Sequence, residues 1–315
     1  MMQNWEFNHL GMMVTDRDEI LSYYQSIGLG VSVGPQPLLP YTEGEGEITF
    51  FKELYGEPIS HRFVTGGAHN FRDGQSQIGN CQLEVYPMRP GPGMFISRYL
   101  EKKGDGINHI AFNTTDIERD TQFFLDRGCE LVFNVTTNGK TVENYIDTRL
   151  HGDLMISLRP PADNWEKSWR KNNESHPLVN KWKFLGIGIC VNDLESASGY
   201  YSKLGYKRIE EKQVRKEWKI TSEEFYVSNV LFELIQAEKD SIYRNSLAQR
   251  GDGVAEMIFK VSNLKKEIDL LKIKGAKILK VSDDKKTAYI DSCMKGNLLT
   301  RLIDCLLYTS DAADE

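Results

Sequence analysis

Two histidines and one glutamate carry the most chemistry in this sequence. His9 lies in Asn8-His9-Leu10-Gly11 and His109 in Asn108-His109-Ile110-Ala111, each inside an apolar run that leads to an Asp and a helix-like segment. An isolated strand histidine ordinarily makes a hydrogen bond and nothing more. Placement at equivalent positions of two repeated units favours metal ligation by the pair instead. Glu84 sits in the otherwise apolar Cys81-Gln82-Leu83-Glu84-Val85, where a buried carboxylate needs a partner or a metal. Gln82 is two residues earlier, on the same face of a strand, and is the alternative ligand. Glu84 is preferred because Glu233 matches it later in the chain. Two neutral imidazoles and a carboxylate suit Zn, Ni, Co, Mn or Fe, and three protein ligands leave positions open for a substrate.

Repeated elements must position these residues. Tyr23-Tyr24-Gln25-Ser26-Ile27-Gly28-Leu29 is echoed by Tyr200-Tyr201-Ser202-Lys203-Leu204-Gly205-Tyr206, Cys81–Val85 by Val230–Leu234, Gly104–Ile107 by Gly251–Val254 and Tyr145–Asp147 by Tyr289–Asp291. The order is kept while the offset falls from 177 to 149, 147 and 144, so two homologous halves differ by loop insertions. The first drop locates 28 extra residues between Tyr24 and Glu84. Gly34–Glu47 and Gly66–Gly79 there read as long loops. Within the first half, each His-bearing strand runs into an Asp cap (Asp16, Asp116) and a helix stopped by Gly28 or Gly128. Strands are expected at Glu47–Phe51, Arg62–Thr65 and Cys81–Tyr86 in the first unit, and at Glu130–Val135, Glu143–Asp147 and Leu154–Leu158 in the second. The second half repeats this from Phe184 and from Ala255. An α+β protein of four β-α-β-β-β units is expected, two per half. Residues 1–161 form the first module, 162–181 a polar linker and 182–304 the second module, with Trp182 placed to dock it on the first.

With 315 residues the chain is long enough for about two domains. Its 45 acids against 39 Lys and Arg leave a net charge of -6 and no basic run, so there is no electrostatic reason to bind nucleic acid or anionic lipid. No apolar stretch approaches the roughly 20 residues that span a bilayer, and the N-terminus shows no signal pattern. Five Cys without a CxxC pair fit a reducing cytoplasm. Residues 305–315, CLLYTSDAADE, look like a translated sequencing adapter, which puts the true C-terminus at or beyond Asp304.

On the unit repeat, on Asn8-His9-Leu10-Gly11 and on the run Ile96–Phe112, the chain resembles the vicinal oxygen chelate superfamily of glyoxalase I, methylmalonyl-CoA epimerase, bleomycin resistance proteins and dioxygenases. The resemblance implies two glyoxalase-like modules whose cupped mixed sheets surround a divalent metal. It implies metal ligands on the first and last strands of each unit: His9, Glu84, His109 and the last strand of the second unit. There the family usually has a Glu, and this chain has Ser157. In the second module the same positions hold Gly186, Glu233, Glu256 and Arg301, a set that has lost its metal. Arg301 is expected to pair with Glu233 or Glu256.

The resemblance further implies a small-molecule substrate bound through neighbouring oxygens, and proton transfer beside a carbonyl by an isomerase or lyase. The catalytic base is open, because an unaided Ser157 hydroxyl is a poor base near pH 7. A non-catalytic binding or sequestration protein is the alternative, followed by an extradiol-type dioxygenase. The second module would take the place of a homodimer partner, leaving a monomer.

Overall fold

The computed structural model describes residues 4–33, 46–55, 62–64, 74–87, 95–161, 181–209, 211–292 and 298–305. The first unit comprises β1 (Glu6–Val14), α1 (Arg17–Ser26), β2 (Val31–Val33), β3 (Gly46–Phe50), β4 (Arg62–Val64), β5 (Gly74–Ile78) and β6 (Cys81–Pro87). Helix α2 (Phe95–Lys103) leads into β7 (Gly106–Asn113), α3 (Ile117–Leu125), β8 (Glu130–Thr137), β9 (Lys140–Asp147) and β10 (Met155–Arg159). The third unit holds β11 (Lys183–Cys190), α4 (Leu194–Lys203), β12 (Lys207–Arg208), β13 (Gln213–Arg215), β14 (Ile220–Val227) and β15 (Val230–Ala237). Helix α5 (Arg244–Arg250) precedes β16 (Gly253–Val261), α6 (Leu264–Ile273), β17 (Lys277–Val281), β18 (Thr287–Asp291) and β19 (Leu299–Asp304).

One local code starts and stops the helix of every unit. Asp16, Asp116, Asp193 and Asn263 each accept a hydrogen bond from the backbone N–H three residues on, which satisfies an otherwise orphaned donor. Twelve residues after each cap stands a glycine at positive φ: Gly28, Gly128, Gly205 and Gly275. The chain can turn left-handed there without a Cβ penalty.

The strands form two mixed sheets. The first runs β2-β5-β6-β1-β7-β10-β9-β8-β3-β4 and the second β12-β14-β15-β11-β16-β19-β18-β17, with β13 also on β14. Both are open, so strand order alone does not make the expected cup. Their centres are in identical register. Gly11 is opposite Glu84 on β6 and His109 on β7, and Met155 is opposite His109. In the second sheet Gly188 is opposite Glu233 and Glu256, and Leu299 is opposite Glu256.

The insertion in the first half differs from expectation. Gly74–Ile78, read as loop, is a buried strand paired with β6. Its polar Gln75 and Gln77 misled the reading: Gln75 Oε1 accepts from Gln82 Nε2 at 3.0 Å. Strands β3 and β4 do not join the first unit's strands but extend the opposite edge of the sheet through β8. The second-half units open with β11 and β16, which contain the expected starting points Phe184 and Ala255, while residues 306–315 fall outside the described residues.

The modules share one apolar core. Phe7 stacks on Phe184 at 4.6 Å between ring centroids. The Phe184 N–H donates across to Asn80 Oδ1 at 2.6 Å, whereas the Trp182 indole donates to Glu267 Oε2 at 2.9 Å within the second module. A reciprocal clasp joins the ends of α2 and α5: Lys103 Nζ donates to the Arg250 carbonyl at 2.9 Å, and Arg250 Nε donates to the Lys103 carbonyl at 3.0 Å. Among the described residues no helix is long and apolar enough to cross a membrane.

Candidate metal centre

The site begins with two β-bulges. Where β1 pairs with β7, the register skips Asn8 between Phe7 and His9, and skips Asn108 between Ile107 and His109. A bulge re-aims the side chains beside it, and here each Asn reaches the ring of the His that follows. Asn8 Oδ1 lies 2.7 Å from His9 Nδ1, and Asn108 Oδ1 lies 2.7 Å from His109 Nδ1. The Asn8 amide nitrogen is committed to Asn113 Oδ1 at 2.7 Å, which leaves its oxygen for the ring. An Asn oxygen on Nδ1 favours the hydrogen there and leaves Nε2 as the donor atom that each ring offers a ligand.

Those nitrogens converge. His9 Nε2 lies 3.2 Å from His109 Nε2 and 3.1 Å from Glu84 Oε2. His9 and His109 are each 1% exposed and Glu84 7%, so the three side chains meet away from bulk water. Burial, reinforced by the Arg159 guanidinium, lowers the His109 pKa to about 3 and keeps that ring neutral. Two ligands about 2.1 Å from one ion stand roughly 3.0–3.4 Å apart at octahedral to tetrahedral angles. The two observed spacings fall in that range. Among the described residues, however, there is no group of three or more His, Cys, Asp or Glu side chains that could hold a metal ion.

Gly11 makes room for this arrangement. A Cβ on Gly11 would come within 1.8 Å of the His109 ring. Gln82 turns to Gln75, whereas Glu84 reaches His9.

Ser157 does not stand by itself. Its hydroxyl donates to Glu143 Oε1 at 2.6 Å, and Arg159 Nε lies 3.9 Å from that oxygen. Glu143 and Arg159 are buried. Tyr145, directly across from Ser157 on β9, places its hydroxyl 3.1 Å from His109 Nε2 and stacks on Phe133 at 4.1 Å. Sequence reasoning missed Glu143, Tyr145, Arg159 and the two asparagines as site residues. Only the repeated Asn-His pair was a visible signal. Elsewhere, His151 packs against Tyr200 and Asp153 pairs with Lys103 at 3.2 Å. His61, His69, His176, Glu43 and Glu45 lie outside the described residues.

The second module keeps the bulges without the histidines. The skipped residues are Leu185 and Ala255, where the first module has Asn8 and Asn108. Glu233 and Glu256 both pair with Arg301, the latter at 3.0 Å, and Glu233 also meets Arg215 at 2.9 Å. Tyr243 donates to Glu256 Oε2 at 2.8 Å. Burial raises the Glu256 pKa against the pull of Arg301, with the Glu233 charge adding to the rise. Burial also acts upward on Glu233, but Arg301 and Arg215 outweigh it and leave its pKa below the ordinary value.

Comparison with known proteins agrees with this architecture. Residues 183–292 match the family model described as Glyoxalase/Bleomycin resistance protein/Dioxygenase superfamily. A mutant 4-hydroxymandelate synthase from Streptomyces coelicolor matches with a TM-score of 0.64 and 15% identity, over 95% of this chain and 92% of that one. A xylose isomerase-like TIM barrel/4-hydroxyphenylpyruvate dioxygenase fusion protein matches with a TM-score of 0.61 and 10% identity, over 98% of this chain and 49% of that one. Methylmalonyl-CoA epimerase from Mycobacterium tuberculosis, at 21% identity over 39% of this chain and 87% of its own, has a TM-score of 0.34, too low to carry an argument. No curated protein matches. Residues 183–292 are thus a domain of the glyoxalase, or vicinal oxygen chelate, superfamily, and the chain as a whole is a tandem of two modules of that fold.

Proposed function

We propose that the protein is a metal-dependent enzyme with one active site, in the first module, where His9, Glu84 and His109 hold a divalent ion. The observation that supports this reading is the approach of His9 Nε2 to His109 Nε2 at 3.2 Å and to Glu84 Oε2 at 3.1 Å, with an Asn oxygen on each Nδ1. A metal ion held there would supply Lewis-acid stabilisation of an oxyanion on a substrate bound through neighbouring oxygens. The reaction class that follows is isomerisation or elimination beside a carbonyl.

Ser157 and Glu143 supply the base. The Ser157 hydroxyl, already donating to the Glu143 carboxylate at 2.6 Å, takes a proton from carbon as its own passes to Glu143. The C–H electron pair stays on the substrate as an enolate, and the reverse transfer returns a proton. The carboxylate missing from the last strand is in this way provided by the neighbouring strand. Arg159 places its guanidinium beside Glu143.

A second reading, an oxygen-dependent reaction, draws on the likeness over nearly the whole of this chain to proteins named as a 4-hydroxymandelate synthase and a TIM barrel/4-hydroxyphenylpyruvate dioxygenase fusion. Metal-reconstituted protein, assayed for substrate-proton exchange with solvent deuterium and for oxygen uptake over one panel of carbonyl substrates, separates the two. Exchange without oxygen uptake, lost in Glu143→Gln, supports the isomerase or lyase. Oxygen uptake supports the second reading, and neither activity on any substrate favours a binding protein.

A further inference from the structure

Gln77 and Gln82 are cross-strand partners on β5 and β6, 1% and 6% exposed. Each amide nitrogen is committed: Gln77 Nε2 donates to the Gly79 carbonyl at 2.8 Å, and Gln82 Nε2 donates to Gln75 Oε1 at 3.0 Å. The amide oxygens are not. Gln77 Oε1 and Gln82 Oε1 are both buried and have no hydrogen-bond partner among the described residues. A buried acceptor without a donor costs stability, and native proteins carry few of them. Two such atoms on directly opposed residues of one strand pair point to a donor that comes from outside the fold.

We propose that Gln77 and Gln82 form one wall of a small-molecule binding site and select ligands that carry a hydrogen-bond-donating group, hydroxyl or amino. Gln82 is two residues from Glu84, and Gln77 and Gln75 are across from Gln82 and Glu84, so all four side chains leave one face of the sheet. That is the face from which Glu84 reaches His9. With both nitrogens committed, the pair offers acceptors only. A hydroxyl or ammonium group donates to them, whereas a ketone, ether, carboxylate or phosphate oxygen leaves them unpaired and is rejected. Recognition by this pair requires no metal ion at His9.

The second module shows that the fold does not need these amides. With Glu84 matched to Glu233, Gln82 corresponds to Leu231 and Gln77 to Tyr226, which are again directly opposed. Leu231 is 2% exposed and has no side-chain polar atom to satisfy. Gln75 corresponds to Glu224, whose carboxylate meets Arg215 Nη2 at 3.0 Å. The same strand pair is thus built in the second module without an idle amide oxygen, and only the first module carries acceptors that its own fold leaves unused.

The test uses the metal-free full chain and three probes. Ethylene glycol donates from hydroxyls, methylammonium donates from nitrogen, and the dimethyl ether of ethylene glycol only accepts. The side-chain carbonyl-carbon NMR signals of Gln77 and Gln82, assigned by their loss in Gln77→Met and Gln82→Leu, move when those oxygens accept a hydrogen bond. The expected result is a saturable shift of both signals with ethylene glycol or with methylammonium, no shift with the ether, and at least tenfold weaker binding of the active probe by Gln82→Leu. Which of the two donors acts tells a hydroxyl ligand from an amino ligand. If Gln82→Leu does not fold, the wild-type titrations with the three probes decide alone. Signals unmoved by both donors, or moved equally by the ether, overturn the proposal. So does a long-lived water on both oxygens that neither donor displaces.

Discussion

The imidazole of His109 lies across the backbone of Gly11, so closely that a Cβ at position 11 would come within 1.8 Å of the ring. The two residues are cross-strand partners, and the pair recurs as Gly188 and Glu256, where the added Cβ would meet the Glu256 side chain at 2.5 Å. One packing rule, a glycine beneath the side chain at this point of the central strand pair, is kept in both modules while the side chain above it has changed.

Gly11→Ala should therefore push His109 aside. We expect metal affinity to fall at least tenfold and stability to fall by about 1–3 kcal/mol. Gly188→Ala should cost comparable stability with unchanged metal affinity. Calorimetric titration with Zn(II) beside denaturant unfolding checks both, and equal metal affinity in Gly11→Ala and wild type would contradict the placement of His109.

Asn8 and Asn108 should set the tautomers of the rings they touch. Nitrogen NMR of the metal-free protein is expected to show the hydrogen on Nδ1 of both His9 and His109. Replacing either Asn with Ala should weaken metal binding about 10- to 100-fold. Rings carrying the hydrogen on Nε2 in the wild type would refute the role given to the bulges.

The Glu256 carboxyl supplies a pH dependence. Its folded pKa is raised by burial, so between the ordinary carboxylate value and the raised one the folded state binds the proton that the unfolded state has lost. Stability from this group is full below the ordinary value and is lost as pH rises towards neutrality. Glu256→Gln, which stays uncharged, should remove that loss, a gain on the order of 2 kcal/mol at neutral pH. Denaturant midpoints from pH 4.5 to 8 measure it, and parallel curves for variant and wild type would count against the buried network as described.

How far the sequence was legible depends on how local each signal is. Asp16 with Gly28 and Asp116 with Gly128 could be read directly because cap and stop lie within one helix. The matching of Glu84 with Glu233 was legible through the repeat, and the registers of the two sheets agree with it. Strand β5 was not, because Gln75 is polar for the sake of Gln82, a partner seen only once the strands are paired. The β3–β4 hairpin was misplaced for a similar reason, since its partner β8 comes from another unit. Tyr145 read as one more strand aromatic, equal to Tyr289, and only its position across from Ser157 sets it apart. Asn8 and Asn108 stood beside the histidines in the sequence, but nothing there signals that a bulge turns each onto its neighbour's ring.

The central claim is that the metal belongs to the first module alone, and the metal content of three purified proteins tests it most directly. Wild type, His109→Ala and Glu256→Ala are loaded with Zn(II), freed of excess and analysed for bound metal. About one ion per chain is expected in wild type and in Glu256→Ala, and none in His109→Ala. No stoichiometric metal in wild type, or equal loss from both variants, would contradict the account.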